Sequence, residues 1–109
     1  MAKLPDVTEI DVFDAALRLA DAVIADFYTS SCVICRKVEP MLAAVEQGYQ
    51  GRLKAFKVNA EGNPEIAVKY GVRGVPTMIL FKDGEMKERK GGFMTAKMLR
   101  EWIEPYLQT

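Results

Sequence analysis

Cys32 and Cys35 are the only cysteines in this chain of 109 residues, and two residues separate them. A CxxC pair can cycle between dithiol and disulfide, bind a metal ion, or form a structural disulfide. A structural disulfide across so short a loop removes little chain entropy. A structural zinc site needs further ligands, and the chain has no histidine, so a metal would have to bridge two chains. Thiol–disulfide exchange is therefore the preferred interpretation, and the metal-bridged dimer is the main alternative.

The position of the pair suggests a role for each thiol. Exchange requires a thiolate, and a helix N-terminus favours one because its dipole and unpaired N–H groups attract negative charge. The pair follows a strand-like run, and a helical pattern begins at Cys35. We therefore assign Cys32 as the attacking nucleophile, with Arg36 and Lys37 adding positive charge nearby. Cys35, which we expect to be less exposed, is assigned as the resolving thiol that releases the target.

Asp26 is a carboxylate inside the apolar run of residues 22–28. Burial of a carboxylate is costly unless it is paired or titrates. Two interpretations stay open from the residues alone. Asp26 is either a structural aspartate, balanced by Lys57 or exposed by a bend, or a proton acceptor for Cys35 with a raised pKa. In the second case Lys57 or a water molecule would relay the proton.

The segments that would position these residues alternate between strand and helix patterns. Strands are predicted at residues 22–28, 53–58, 77–81 and 86–90. Helices are predicted over residues 8–19, from 35 to 48 or 51, from 64 to about 70 with Asn63 as the N-cap, and after Thr95. Thr8 or Asp11 is expected to cap the first helix, and Thr95 the last. This alternation is typical of an α/β domain.

The composition limits the classes of protein that fit. The length and the 50% apolar content predict one domain, residues 1–109, with its own core. Lys and Arg total 15, as do Asp and Glu, so net charge predicts no nucleic-acid or membrane partner. No apolar run reaches the roughly 20 residues of a membrane span. The N-terminus lacks the apolar region of a signal peptide, so we expect a cytoplasmic protein.

Val75-Pro76-Thr77 places a proline at the start of a predicted buried strand. On frequency alone, the Val75–Pro76 bond is expected to be trans, because only about 5–6% of X–Pro bonds in folded proteins are cis.

Together, these features resemble the thioredoxin family from about residue 7 to the C-terminus. The matching positions are Asp26-Phe27, the cysteine pair, Pro40, Lys57, Asn63-Pro64, residues 69–77, Phe81-Lys82-Asp83-Gly84 and Gly92. The resemblance implies the α/β thioredoxin fold, a mixed sheet of four or five strands with helices on both faces. It implies a cis Val75–Pro76 bond beside the cysteines. It also favours Asp26 as the proton acceptor, with Lys57 modulating it.

The resemblance further implies a protein disulfide oxidoreductase that reduces disulfide-bearing target proteins. Such a protein would use its own Cys32–Cys35 disulfide, without a cofactor or metal. It would take electrons from a thioredoxin reductase or another dithiol donor, and work as a monomer. The residues expected to contact the substrate are Ser31, Val33, Ile34, Gly74, Val75, Pro76, Gly92 and Phe93.

The active-site motif departs from that of the family. The usual Trp-Cys-Gly-Pro-Cys is Ser31-Cys32-Val33-Ile34-Cys35 here. Two bulky β-branched residues between the cysteines predict an altered reduction potential and a narrower set of partners. The alternatives are a binding module that uses the fold without exchange, the metal-bridged dimer, and a thiol oxidant or isomerase.

Overall fold

The computed structural model describes residues 3–107, which contain each predicted strand and helix. In chain order the elements are α1 (Ile10–Ala16), β1 (Ala22–Tyr28), α2 (Val33–Gly48), β2 (Leu53–Asn59), α3 (Pro64–Lys69), β3 (Thr77–Lys82), β4 (Glu85–Gly91) and α4 (Ala96–Leu107). Within the described residues, no helix is both long enough and apolar enough to span a bilayer.

A mixed sheet carries these strands in the order β2-β1-β3-β4. β1 runs parallel to β2 and antiparallel to β3, and β3 pairs antiparallel with β4. β1 is therefore central, which explains its apolar sequence. β4 lies at the edge with every residue exposed, which suits its many charges. The predicted mixed sheet is confirmed, with four strands among residues 3–107.

The side chains of β1 alternate between two apolar cores. Ala22 and Ile24 pack in the core that α2 and α4 cover, whereas Val23 and Phe27 pack in the core that α1 and α3 cover. Helices therefore flank both faces of the sheet, as expected. Asp26 has the same parity as Ile24, so its carboxyl lies on the α2 and α4 side, beneath the helix that carries Cys35.

Two helix starts differ from the predictions. α1 begins at Ile10 with Glu9 in the N-cap position, so the assignments of Thr8 and Asp11 were wrong. α2 begins at Val33, before the predicted start at Cys35, because the sulfur of Cys32 accepts a backbone N–H there in place of the usual polar cap. The prediction for α4 is confirmed, since Thr95 Oγ1 accepts the Met98 N–H at 3.1 Å.

The strand register brings four chain segments together at one end of the sheet, where strands begin or finish. Phe27 lies opposite Thr77, Tyr28 opposite Asn59, and Thr77 opposite Gly91. The end of β1, which leads to the cysteines, is therefore beside the start of β3 and the ends of β2 and β4.

Candidate active site

Cys32 and Cys35 form a disulfide, with Cα atoms 5.3 Å apart. Cys32 is the N-cap of the 16-residue helix α2, and its Sγ accepts the Cys35 N–H at 3.1 Å. Cys32 is half-buried, whereas Cys35 is only 3% exposed. The expectation that Cys35 is the more buried thiol is confirmed. A partner molecule therefore meets Cys32 first.

The turn before Cys32 is fixed by two hydrogen bonds. The Cys32 N–H donates to the Thr29 carbonyl at 3.2 Å, and the Arg36 guanidinium donates to the Ser30 carbonyl at 2.7 Å. Arg36 thus ties the first turn of α2 back onto the preceding loop. Its positive charge remains near the helix N-terminus, where it favours an anion.

Asp26 lies beneath this helix and is 1% exposed. Its Oδ1 atom is buried and finds no hydrogen-bond partner among residues 3–107. The pKa of Asp26 is raised to about 7, mainly by burial and in addition by the negative charge of Glu39, while the positive charge of Lys57 opposes this rise. A carboxyl with a pKa of this kind can give or take a proton at neutral pH.

A cavity of about 120 Å³, lined by polar residues, connects Asp26 to Cys35. Cys35, Lys57 and Glu39 also line it. A cavity of this size, with polar groups around it, has room for water molecules that could relay a proton. The structure therefore brings together Asp26, Lys57 and Cys35, which the sequence analysis assigned to one proton path.

Lys57 lies opposite Asp26 in the β1–β2 register and on the same face of the sheet. Its Nζ atom is 3.0 Å from Glu39 Oε2 and 3.9 Å from Asp6 Oδ2. It also lies 5.2 Å from the centre of the Tyr28 ring. Among the described residues, the carboxylates at salt-bridge distance from Lys57 are those of Glu39 and Asp6, and not that of Asp26.

Glu39 is the residue of this cluster that the sequence analysis missed. It follows Cys35 by four positions on α2, so both side chains project from the same side of the helix. Its carboxylate accepts the Leu4 N–H at 2.7 Å as well as contacting Lys57. The sequence signal that could have revealed Glu39 is a charged residue that falls between Val38 and Leu42, on the stripe of α2 that faces the core.

The predicted substrate residues lie near the end of the sheet where β1 and β4 finish and β3 begins. The Val75–Pro76 bond is cis, as the resemblance implied and against the expectation from frequency alone. The Gly92 N–H donates to the Pro76 carbonyl at 3.3 Å, and Gly92 has a φ of +85°, which glycine tolerates best. Ser31 is exposed, whereas Pro76 is buried.

Three large apolar side chains of this set are exposed to solvent. Val33 is 58% exposed, Ile34 48% and Phe93 43%. Gly74 and Val75 line a separate groove of about 300 Å³, which Thr29 and residues of α3 also line. Of the predicted set, Gly74 and Val75 therefore line this groove, whereas Val33 and Ile34 lie on the exposed first turn of α2.

A comparison with protein families matches residues 5–105 to the family model described as Thioredoxin. Thioredoxin from Rickettsia bellii is 36% identical over 98 residues, which cover 90% of this chain and 93% of that protein. Thioredoxin from Pseudomonas aeruginosa is 34% identical over 99 residues, which cover 91% of this chain and 92% of that protein.

Solved structures agree with these sequence matches. A mutant thioredoxin from Halobacterium salinarum NRC-1 superposes with a TM-score of 0.88 and 33% identity, covering 98% of this chain and 93% of that one. Mitochondrial thioredoxin 3 from Saccharomyces cerevisiae, in its oxidised form, gives a TM-score of 0.84 and 25% identity, covering 94% of both chains. The chain shares its fold with these structures over nearly its whole length.

Proposed function

The chain belongs to the thioredoxin family of thiol–disulfide oxidoreductases, and we propose that it reduces protein disulfides. It is a thiol–disulfide oxidoreductase whose redox-active pair is Cys32 and Cys35. The observation that carries the proposal is the placement of this pair, with an accessible sulfur on the cap of α2 and a buried one behind it.

In the proposed cycle, the Cys32 thiolate attacks one sulfur of a target disulfide and displaces the other as a thiolate. The resulting mixed disulfide joins Cys32 to the target. Cys35 then loses its proton and attacks the Cys32 sulfur, which forms the Cys32–Cys35 disulfide and releases the second target thiolate. The target gains two electrons, and the chain loses them. A dithiol donor, such as a reductase, returns two electrons to the pair.

Asp26 is our candidate for the group that takes the proton from Cys35. The shared cavity supports this role, because it gives Asp26 and Cys35 a common polar space. The raised pKa of Asp26 supports it as well, since a base is most effective when its pKa is close to the working pH. Lys57 modulates the same carboxyl through its positive charge.

Membership of the family implies disulfide-bearing targets and a reductase partner. We propose that an extended segment of the target lies along Gly74, Val75, Pro76 and Gly92. Ser31, Val33, Ile34 and Phe93 would contact its side chains or the reductase surface. Because the residues between the cysteines differ from the usual Gly-Pro, we expect an altered reduction potential and a narrower partner set. A dithiol reductant needs a reducing compartment, so we propose that it works in the cytoplasm.

A trapping experiment with insulin as a disulfide-containing target tests the exchange reaction. Reduced Cys35→Ser protein should accumulate a covalent complex with insulin through Cys32, because the thiol that resolves the complex is missing. The matched Cys32→Ser variant should form far less complex, since its remaining thiol is buried. Mass spectrometry before and after addition of a reductant measures both. A Cys35→Ser protein that forms no complex would favour a binding module without exchange activity.

A further inference from the structure

We propose that Glu39 is a positioning residue that controls the proton affinity of Asp26 by holding the Lys57 ammonium group in an ion pair. The inference rests on the proposed function, because it concerns the group that would accept the Cys35 proton. It assigns a second carboxylate to the site.

The ion pair between Glu39 and Lys57 is close and shielded. Lys57 Nζ lies 3.0 Å from Oε2 and 3.2 Å from Oε1 of Glu39, so it contacts both carboxylate oxygens. The side chains of Lys57 and Glu39 are only 15% and 17% exposed. Glu39 is itself held in place, because its Oε2 accepts the Leu4 N–H at 2.7 Å. Solvent ions screen such a pair much less than an exposed one.

The charged and titratable groups that face Asp26 come from several elements. Tyr28 and Lys57 approach from β1 and β2, and the cavity adds Cys35, Arg36 and Glu39 from α2. Asp6, in the segment beside β2, contacts both Tyr28 and Lys57. The neighbour of Asp26 on β3 is Met78, which carries no charge.

Lys57 is the cation of this set placed to neutralise an ionised Asp26. The Arg36 guanidinium already donates to the Ser30 carbonyl, whereas Lys57 lies directly opposite Asp26 in the sheet. Because Glu39 balances the charge of Lys57, little positive charge is left to stabilise an Asp26 carboxylate. In agreement with this, the buried Oδ1 atom of Asp26 has no hydrogen-bond partner among residues 3–107.

The arrangement matters for the step at Cys35. The proton on the Cys35 sulfur must pass to Asp26 before Cys35 attacks Cys32, and it must return when the pair is reduced again. A carboxyl fully paired with Lys57 would stay ionised and would be a weak base. By holding Lys57, Glu39 keeps the Asp26 carboxyl able to exchange a proton near neutral pH.

The test is a titration of the Asp26 carboxyl by carbon-13 NMR in the oxidised protein. In Glu39→Gln the pKa of Asp26 should fall by about one unit, because a negative charge is lost and Lys57 is freed to approach. The matched control is Glu46→Gln, since Glu46 lies on the same helix and accepts the Ala55 N–H at 2.7 Å. The control should leave Asp26 unchanged. An Asp26 pKa that is unchanged or raised in Glu39→Gln would overturn the proposal.

A second variant separates the position of Glu39 from its charge and also serves if Glu39→Gln does not fold. Glu39→Asp keeps the negative charge but shortens the side chain, so it should release Lys57 and again lower the pKa of Asp26. An unchanged pKa would mean that Glu39 does not act by holding Lys57, which refutes the proposal.

Kinetics distinguish a failure of this inference from a failure of the proposed function. The acid limb of the pH profile for target release should move to lower pH in Glu39→Gln. This effect should disappear in an Asp26→Asn background. If Asp26→Asn releases targets as fast as the unaltered protein, the proton-acceptor role of Asp26 is wrong, whereas the titration still decides whether Glu39 acts through Lys57.

Discussion

At the scale of the single residue, the buried carboxyl of Asp26 lowers the stability of the fold whenever it is ionised. The pKa of Asp26 rises from 3.8 to about 7 on folding. A raised carboxyl pKa means that the folded state binds the proton more tightly than the unfolded state does. Stability from this group is therefore greatest below pH 4 and is lost as the pH rises towards 7.

Asp26→Asn should consequently gain stability over the unaltered protein as the pH rises from 4 to 8. The rise in the pKa of Asp26 on folding corresponds to a change of about 4 kcal/mol at most in the free energy of unfolding. The measurement is urea unfolding of both oxidised proteins at pH 4 and pH 8. Any cost of burying the amide is the same at both pH values, so it cancels when the two differences are compared.

Asp14 provides a control of opposite sign. Hydrogen bonds from Lys69 and Tyr70 lower the pKa of Asp14, so its ionised form stabilises the fold. This contribution is present at neutral pH and is lost as the pH falls through the lowered pKa. Asp14→Asn should therefore lose a small amount of stability at pH 8. If Asp26→Asn behaves like Asp14→Asn, the carboxyl of Asp26 is not destabilising when ionised.

The sequence could reveal those site residues whose type is unusual at their position. Cys32, Cys35 and Asp26 were identified because a thiol pair and a carboxylate in an apolar run are unusual in themselves. Glu39 was missed because a glutamate in a helix is ordinarily solvated. Its role depends on contacts with Leu4 and Lys57, which are distant in sequence and are brought together only by the folded sheet.

At the scale of the element, the first turn of α2 combines the nucleophile with an apolar surface. Cys32 caps the helix, and Val33 and Ile34 follow it with roughly half of each side chain exposed. The first N–H groups of a helix have no carbonyl partner within it, so a proline is tolerated there. The usual Gly-Pro of the family therefore fits the same backbone, and the departure at Val33 and Ile34 concerns the surface that partners meet.

Replacing this dipeptide tests whether it selects the partner. The variant Val33→Gly/Ile34→Pro should be reduced several-fold faster than the unaltered chain by the thioredoxin reductase of Pseudomonas aeruginosa, because the docking surface then matches that of usual thioredoxins. Its reduction potential should also change. Steady-state turnover and equilibration with glutathione measure the two effects.

The matched control is Val12→Ala, which removes an exposed apolar side chain on α1. It should leave turnover unchanged. If the unaltered chain is already reduced as fast as the Val33→Gly/Ile34→Pro variant, the proposal of a narrowed partner set is wrong.

The elements themselves were largely predictable because their signals are local. The apolar run of β1 and the Thr95 cap both depend on neighbouring residues. The start of α2 was misplaced because its cap is a cysteine sulfur, which is outside the usual set of capping residues. The antiparallel pairing of β1 with β3 depends on contacts distant in sequence, so it was not predicted, and the resemblance to a family implied only that the sheet is mixed.

At the scale of the whole molecule, the sheet separates the reacting groups from a second core made of aromatic rings. Phe13 is fully buried in that core, with its ring 4.6 Å from the ring of Tyr70 and 5.2 Å from that of Phe56. Asp26 lies on the other face of the sheet with Ile24, beneath α2, and Cys35 is a buried residue of α2 itself. Both cores therefore stabilise the fold, but only the core beneath α2 lies next to the reacting groups.

Substitution in each core should reveal this division. Phe13→Ala should lower the free energy of unfolding by about 3–5 kcal/mol, because it leaves a cavity among the aromatic rings. In the fraction that remains folded, the pKa of Asp26 and the rate of insulin reduction should not change.

Leu42→Ala is the matched substitution in the other core, since Leu42 is fully buried and lies one turn after Glu39 on α2. It should cost about 2–5 kcal/mol and also shift the Asp26 titration, because it loosens the helix that holds Glu39 against Lys57. Urea unfolding and carbon-13 titration of the oxidised variants measure both quantities. An equal shift of the Asp26 pKa in the two variants would mean that the sheet couples the cores and does not separate them.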